Sequence, residues 1–264
     1  REARLRAGPW ARSERTTWIL GPGLASCETY RVPLGGGDGV GWAIASVFTE
    51  PALRGHGFAS ALLDRLAERL RTEPGARGLV LFSDVGARIY ERVGFVARPA
   101  VDRVWPADPG DPDDGPWTRI TDAELPATLA ATARPPGAAI WPSAGQLDWQ
   151  LDRARTRAEV GRRRVVRPSR CGAVLDDGLA VWADDGDALL VLLLTGTRPE
   201  TVDGLATAAA RTAGSVGLRQ VRAWDTPGPW PSWAPSRPRD GAIPMIRAFG
   251  DVPDWTWIPR GVWV

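Results

Sequence analysis

The chain has 264 residues, 44% of them hydrophobic, and 33 basic against 31 acidic residues give a formal charge of +2. That length exceeds one small domain and suits two with buried cores, while near-balanced charge, with Arg162-Arg163-Arg164 as the one basic run and read as a solvated helix end, argues against nucleic acid as a partner. Two distant cysteines, Cys27 and Cys171, form neither a disulfide framework nor a zinc site, and no apolar stretch nears the roughly 20 residues needed to span a bilayer. Residues 1–7 have helical spacing and are expected to form a short helix ended by Gly8-Pro9. Residues 16–20 read as a strand, Gly21-Pro22-Gly23 as a turn, and residues 24–32 as a second strand. Its alternation puts Ser26, Glu28 and Tyr30 on one face and Cys27, Thr29 and Arg31 on the other. Glu28 can therefore point into a cleft, or equally pair with an arginine at its rim.

Residues 35–39 form a glycine-rich connection to an apolar strand over residues 43–49, which Pro51 stops. Arg54-Gly55-His56-Gly57-Phe58-Ala59 then opens a helix at Ser60. Glycines 55 and 57 let the backbone pass close to a bound group, and the helix adds unpaired N–H groups and the positive end of its dipole. Such a turn holds an anion, most simply a diphosphate; on spacing alone it is equally a glycine-rich surface turn. In the helix Leu62, Leu63, Leu66 and Leu70 share a face, with Arg65, Arg69 and Arg71 outward and Pro74-Gly75 as the stop. A further strand covers residues 78–82, and a short helix over residues 88–93 presents Tyr90.

Residues 106–117, rich in proline and aspartate, read as a linker or long surface loop dividing residues 1–105 from residues 118–264. Beyond it Thr121-Asp122-Ala123-Glu124 reads as a helix start capped by Thr121, and residues 141–160 as a helix with Leu147, Leu151 and Ala154 on one face and Trp149 on another. Strands over residues 171–175, 179–183 and 188–194 form a meander with Asp176-Asp177-Gly178 as a turn, followed by a helix over 199–213 and a strand over 218–224. This order echoes the first half, although nothing near Thr195-Gly196-Thr197-Arg198 repeats the Arg54 loop. Most of the fourteen tryptophans lie beyond the linker and read as core, with Trp255, Trp257 and Trp263 as candidate pocket walls.

Arg54-x-x-Gly57-x-Ala59 resembles the Arg/Gln-x-x-Gly-x-Gly/Ala loop of the GNAT superfamily of acyl-CoA-dependent N-acyltransferases, and Tyr90-x-x-x-Gly94-Phe95 resembles its second signature. Residues 26–31, 44–49, 54–60 and 83–95 further resemble the N-terminal half of fungal-type lysine N6-acetyltransferases, and residues 241–245 and 254–264 resemble their C-terminal end. The resemblance implies an α/β fold, a mixed central sheet flanked by helices, followed by a second, degenerate GNAT-like α/β domain that closes the substrate cleft. It implies acetyl-CoA as co-substrate, no metal, and direct attack by a primary amine, with lysine or a related amino acid as the first candidate. Arg54, Gly55, His56, Gly57, Phe58, Ala59 and Ser60 would hold the pyrophosphate, and the backbones of Val47, Phe48 and Thr49 would pair with the pantetheine amides. Tyr90 falls at the family's general acid, and a tyrosine is mostly protonated at neutral pH, as that role requires.

A lysine amine must lose a proton before it attacks. His56, the one histidine, lies inside the pyrophosphate loop and is not taken as the base; Glu28 is the first candidate and Glu50 the second. An arginine of the second half is chemically suited to the acceptor's carboxylate. Two departures from the family pattern stand out: Ser83 where many members carry asparagine, and Glu50 where the fungal family carries an apolar residue or proline. The family fold opens with a strand, which a sequence beginning REARLRA is expected to lack. The chain is expected to be a cytoplasmic monomer or homodimer acting on a small amine, with no nucleic-acid or membrane partner. A non-catalytic acyl-CoA-binding or sensory module and a protein N-acetyltransferase are the alternatives. All basic residues are arginine, which together with abundant Ala, Gly and Pro reads as GC-rich coding.

Overall fold

The structure is a computed structural model, and it describes residues 6–35, 38–135, 140–160, 170–250 and 258–264. Outside these lie most of the expected first helix, Gly36-Gly37, the Arg162-Arg163-Arg164 run, Trp255 and Trp257. The first described helix, α1 (Pro9–Glu14), starts at the Gly8-Pro9 pair that was expected to end one. A proline in the first turn loses no helical bond, because that N–H has no partner there, and its fixed φ already suits the helix.

Strands β1 (Arg15–Leu20), β2 (Ala25–Pro33) and β3 (Val40–Thr49) run antiparallel in sequence. Helix α2 (Phe58–Arg71) then crosses over to β4 (Ala76–Ser83), which pairs parallel to β3. The helix α2 begins at Phe58, two positions before the expected Ser60, because Gly57 at φ 79 turns the chain into it. Its Leu62, Leu63, Leu66, Ala67 and Leu70 are buried against the sheet, about 1.5–3 kcal/mol for each leucine. Helix α3 (Arg88–Glu91) and the short β5 (Val96–Ala97) follow.

The chain then enters a second sheet. Strand β6 (Val101–Pro106) precedes β7 (Thr118–Ile120), α4 (Leu125–Ala131) and α5 (Ala144–Val160). An antiparallel meander of β8 (Gly172–Leu175), β9 (Gly178–Asp184) and β10 (Ala188–Leu194) leads through α6 (Pro199–Ser215) to β11 (Gln220–Trp224), parallel to β10. Strands β12 (Ser236–Pro238) and β13 (Ile243–Ala248) complete the chain's pairing. Antiparallel pair, helix and parallel strand therefore occur twice, as the sequence order suggests. Helix α4 starts at Leu125, later than the expected Thr121, and the Glu124 carboxylate accepts from the Thr121 backbone N–H and hydroxyl at 2.7 Å each.

The sheets do not divide where the chain was expected to. The first has the order β1-β2-β3-β4-β13-β5 and the second β12-β6-β11-β10-β9-β8-β7. Strand β6, placed with the first half by a boundary at residue 105, lies beside β11, and β13 from the far end of the chain lies between β4 and β5. Each half lends the other a strand. The reason is burial: Met245 of β13 is fully buried under α2, and Trp105 of β6 is 1% exposed in the second core.

Residues after β6, expected as a linker or surface loop, are docked on α6. The Asp108 N–H donates to Ala210 O at 3.0 Å, and the Asp108 carboxylate accepts from Gly110 N at 2.8 Å and Arg211 Nε at 3.2 Å. A Cβ on Gly214 would stand 2.0 Å from Asp108 O. Alanine gains about 0.5–1 kcal/mol over glycine in a helix, but overpacking costs about 1–3 kcal/mol, so the clash decides the sign. Gly214→Ala is thus expected to lower the thermal midpoint; an unchanged or raised midpoint shows that the loop is not seated on the helix.

Candidate functional site

The site begins where two parallel strands part. Strands β3 and β4 pair from Val40↔Ala76 to Ile44↔Leu81, after which residues 45–49 are flanked by β2 alone while β4 continues to Ser83 against β13. The result is a slot at the carboxyl ends of the strands, the position where open α/β sheets take ligands. The register slips between Ser26, opposite Phe48, and Glu28, opposite Ala45, so β3 carries an extra residue there. Ser46 holds φ 53 at this bulge. A bulge frees backbone donors from the ladder and bends the strand away from β4.

The lips of the slot are apolar. Phe48 on one side and Val85 and Ile89 on the other are 48%, 69% and 44% exposed, unusual for side chains of this size around one opening. Below the slot, the 3-10 turn Pro51–Leu53 and the loop to Gly57 lead into α2. The first helical bond is Ala61 N to Gly57 O, which leaves the N–H groups of Phe58, Ala59 and Ser60 to a ligand or water. Gly55 and Gly57 have φ 85 and 79, left-handed values that side chains resist. Arg54 is exposed beside them, its Nε donating to Thr49 O at 3.3 Å. The His56 Nδ1 lies 3.2 Å from Leu53 O and 3.1 Å from Arg54 O, and both partners accept, so this nitrogen carries the proton and closes the loop. Its ring stacks on Phe58.

Tyr90 and Glu28 lie on opposite faces of the first sheet. Tyr90 and Cys27 belong to the core beneath α2. Burial, then the Asp84 and Cys27 charges, raise the Tyr90 hydroxyl above its ordinary value, so it keeps its proton at neutral pH. Burial and then Glu28 push the Cys27 thiol up to about 12, which removes it as a nucleophile. Ser83 donates to Gly86 O at 2.7 Å and accepts from Val85 N at 3.3 Å, so its hydroxyl serves its own loop.

Glu28 is 5% exposed on the other face. Its Oε1 accepts from Arg15 Nη1 at 2.9 Å and pairs with Arg6 Nε at 3.0 Å, and its Oε2 accepts from Tyr30 at 3.3 Å and Ser46 at 3.5 Å. Those donors occupy the lone-pair positions a carboxylate offers. Pairing with an arginine is one of the two readings the sequence offers for Glu28, but which arginines could not be read from it: Arg6 comes from the segment before α1 and Arg15 from the start of β1. Beside Glu28, Tyr30 stacks on Trp10 at 5.2 Å and meets Trp149 of α5 at 6.1 Å, so the second half covers this face. Glu50, the other candidate base, is exposed at the head of the 3-10 turn.

In the second half the corresponding helix end is closed by its own hairpin. Asp177 accepts from Thr197 N at 3.0 Å and Thr197 Oγ1 at 2.6 Å, the hydroxyl bond foremost in holding its carboxyl below the usual range, while Asp176 pairs with Arg198. Among the described residues, no group of three His, Cys, Asp or Glu could hold a metal ion, and no helix is long and apolar enough to cross a membrane.

A splayed parallel pair over a glycine-led helix N-terminus is an arrangement that suits an extended, phosphate-bearing ligand. Residues 20–97 match the sequence profile of the Acetyltransferase (GNAT) domain, so the chain carries an acetyltransferase domain of the GNAT class. No curated protein sequence matches the chain. Solved structures similar in fold include a GCN5-related N-acetyltransferase from Kribbella flavida, 17% identical, covering 90% of this chain and 61% of that one with a TM-score of 0.57. Another GCN5-related N-acetyltransferase, from Anabaena variabilis, is 16% identical over 84% of this chain and 60% of that one with a TM-score of 0.52. Eis1 from Mycobacterium abscessus is 14% identical over 90% and 64%, also at 0.52. The chain therefore spans 60–64% of the length of these three structures.

Proposed function

We propose that the protein moves an acetyl group from acetyl-CoA to the primary amine of a small acceptor, lysine or a related amino acid first, by direct attack. The observation that supports this reading is the slot between β3 and β4, open at the N-terminus of α2, with Tyr90 in the core on the α2 face of the same sheet. Arg54 and the N–H groups of residues 55–60 suit the pyrophosphate, and the unpaired edge of Val47, Phe48 and Thr49 suits the amides of pantetheine as an added strand would. A freed N–H at the bulge polarises the thioester carbonyl. The amine nitrogen forms its bond to the carbonyl carbon, the carbon–sulfur bond breaks, and the departing sulfur takes a hydrogen bond from Tyr90.

In this reading Glu28 receives the ammonium proton on the opposite face, once the incoming amine displaces one of its donors. Buried, protonated thiols at Cys27 and Cys171 favour direct attack over an acyl-enzyme. The second half packed over the Glu28 face favours a small acceptor over a protein segment.

The test is release of free CoA thiol from acetyl-CoA with a panel of amines that includes L-lysine, read alongside the mass of the protein. A chain without lysine offers no side-chain amine of its own, so release tracks the added acceptor. Amine-dependent release is expected; binding of acetyl-CoA with no release for any amine overturns the transfer reading in favour of a binding module.

A further inference from the structure

We infer that the buried guanidinium of Arg260, held against the rings of Trp224 and Trp263 at the seam of the two halves, is the seat for the carboxylate of the acceptor amine. The inference rests on the transfer reading and names what that reading leaves open, the group by which the acceptor is recognised.

Arg260 is 8% exposed, and its Nη1 is fully buried with no hydrogen-bond partner among the described residues. Its guanidinium lies against aromatic rings: its Cζ is 3.7 Å from the centre of the Trp263 ring and 5.1 Å from that of Trp224. Other cations crowd the same rings, Arg153 at 3.8 Å over Trp263 and Arg239 at 3.8 Å over Trp224. Arg239 is matched by Asp102 at 2.8 Å and Arg157 by Asp185 at 2.9 Å, whereas no described carboxylate lies within ion-pair distance of Arg260, on which Asp185 acts only from farther off. Burial, and then Arg153, hold its guanidinium well below the usual range. An unmatched buried cation is among the costliest arrangements a fold can hold, and an anion entering the site relieves it. The planar fork of arginine suits a carboxylate held by two parallel bonds.

The backbone here is fixed as a binding site requires. Arg260 opens the 3-10 turn Arg260–Val262, and two buried glutamines of α5 grip that turn: Gln146 Nε2 donates to Val262 O at 3.2 Å, and Gln150 Nε2 donates to Trp263 O. The position is right as well. Trp224 meets Phe82, next to Ser83 at the end of β4, with ring centres 5.0 Å apart. On the other flank Arg153 spans Trp263 and Trp149, and Trp149 meets Tyr30 beside Glu28. Arg260 is thus linked through Trp224 and Phe82 to the end of β4, beside the slot. A cavity of about 620 Å³, a size that fits a small amine, shares the Trp224 wall and is lined by Arg98, Asp225, Arg239 and Ile258, with Arg260 itself behind that wall and outside the lining.

The test uses a matched pair, L-lysine and 1,5-diaminopentane, which differ by the carboxylate. Their affinities for the whole protein saturated with CoA are measured by calorimetry, for the parent chain, Arg260→Met and Arg260→Lys. The parent is expected to prefer lysine by about 10- to 100-fold, Arg260→Met to bring the ratio near one, and Arg260→Lys to recover part of it. Removing an unmatched buried charge should also raise the thermal midpoint of ligand-free Arg260→Met by about 2–4 °C, whereas loss of a structural arginine would lower it. Equal affinity of the parent for the two amines, no binding of either, or a lower midpoint with an unchanged ratio overturns the site. CoA release with no carboxylate preference keeps the transfer reading and overturns this site; carboxylate-selective binding without CoA release keeps this site and overturns transfer.

Discussion

Replacing Tyr90 with phenylalanine is expected to lower kcat for CoA release by about 10²- to 10³-fold, with KM for acetyl-CoA nearly unchanged. The lower part of the range for general acids is chosen because a thiolate, with a pKa of about 8.5, leaves more readily than an alkoxide. Tyr90 lies in the core under α2 and has its proton held by burial and by Asp84. Its pKa being raised, the hydroxyl stays protonated at every pH below its ordinary value near 10, and the acid role is lost only as pH climbs past the raised value. The tyrosine therefore holds its proton more tightly than the departing thiol does, so it stabilises the developing sulfur charge through a hydrogen bond and solvent completes the proton transfer.

The pH profile follows from the same sign. Activity should rise with pH as the acceptor amine deprotonates and show no falling limb below about pH 10. A falling limb between about pH 8 and 9, or a Tyr90→Phe variant with parental kcat, assigns the acid elsewhere. The alternatives near the slot are poor: Cys27 is pushed up to about 12, and the Ser83 hydroxyl is committed to Gly86 O at 2.7 Å.

The glycine loop and the helix start proposed to hold the cofactor were legible because their signals are local. Arg54, the glycines at 55 and 57 and the helix after them sit within one turn of chain, and their purpose is backbone shape, which residue type dictates directly. Tyr90 was legible for the same reason. The surroundings proposed for the acceptor were not. Glu28 could be placed on a face of β2 by alternation, but its partners Arg6 and Arg15 come from neighbouring elements, and Arg260 comes from the far end of the chain. The extra residue at Ser46 is invisible in an apolar run, since period-two reading carries straight through a bulge. The repeat of strand pair, helix and strand was read from sequence, whereas the exchange of β6 and β13 was not, because nothing in a six-residue strand says which sheet edge it will cover.

That exchange sets the second large expectation: a chain ending at Asp240 should fail to fold, not merely lose the residues around Arg260. Strand β13 pairs with β4 at every position from Ile243↔Ser83 to Ala248↔Gly78, and it is the neighbour through which β5 joins the sheet. Without it β4 becomes an open edge of apolar residues, Leu79, Val80 and Leu81, each now at most 2% exposed. The fully buried Met245 would leave a gap under α2 worth about 2–5 kcal/mol on its own, against a total stability of about 5–15 kcal/mol for a typical domain. The two cores are further joined by the cluster of Tyr30, Val80, Ile246, Trp149 and Trp224, so damage at β13 reaches the second half. Circular dichroism and thermal melting of the shortened chain should show no cooperative transition, and full-length Met245→Ala should melt below the parent in a single step. If the shortened chain melts cooperatively at the parental midpoint, β13 is an accessory to a self-sufficient first half; if Met245→Ala melts in two steps, the halves fold independently despite the strands they exchange.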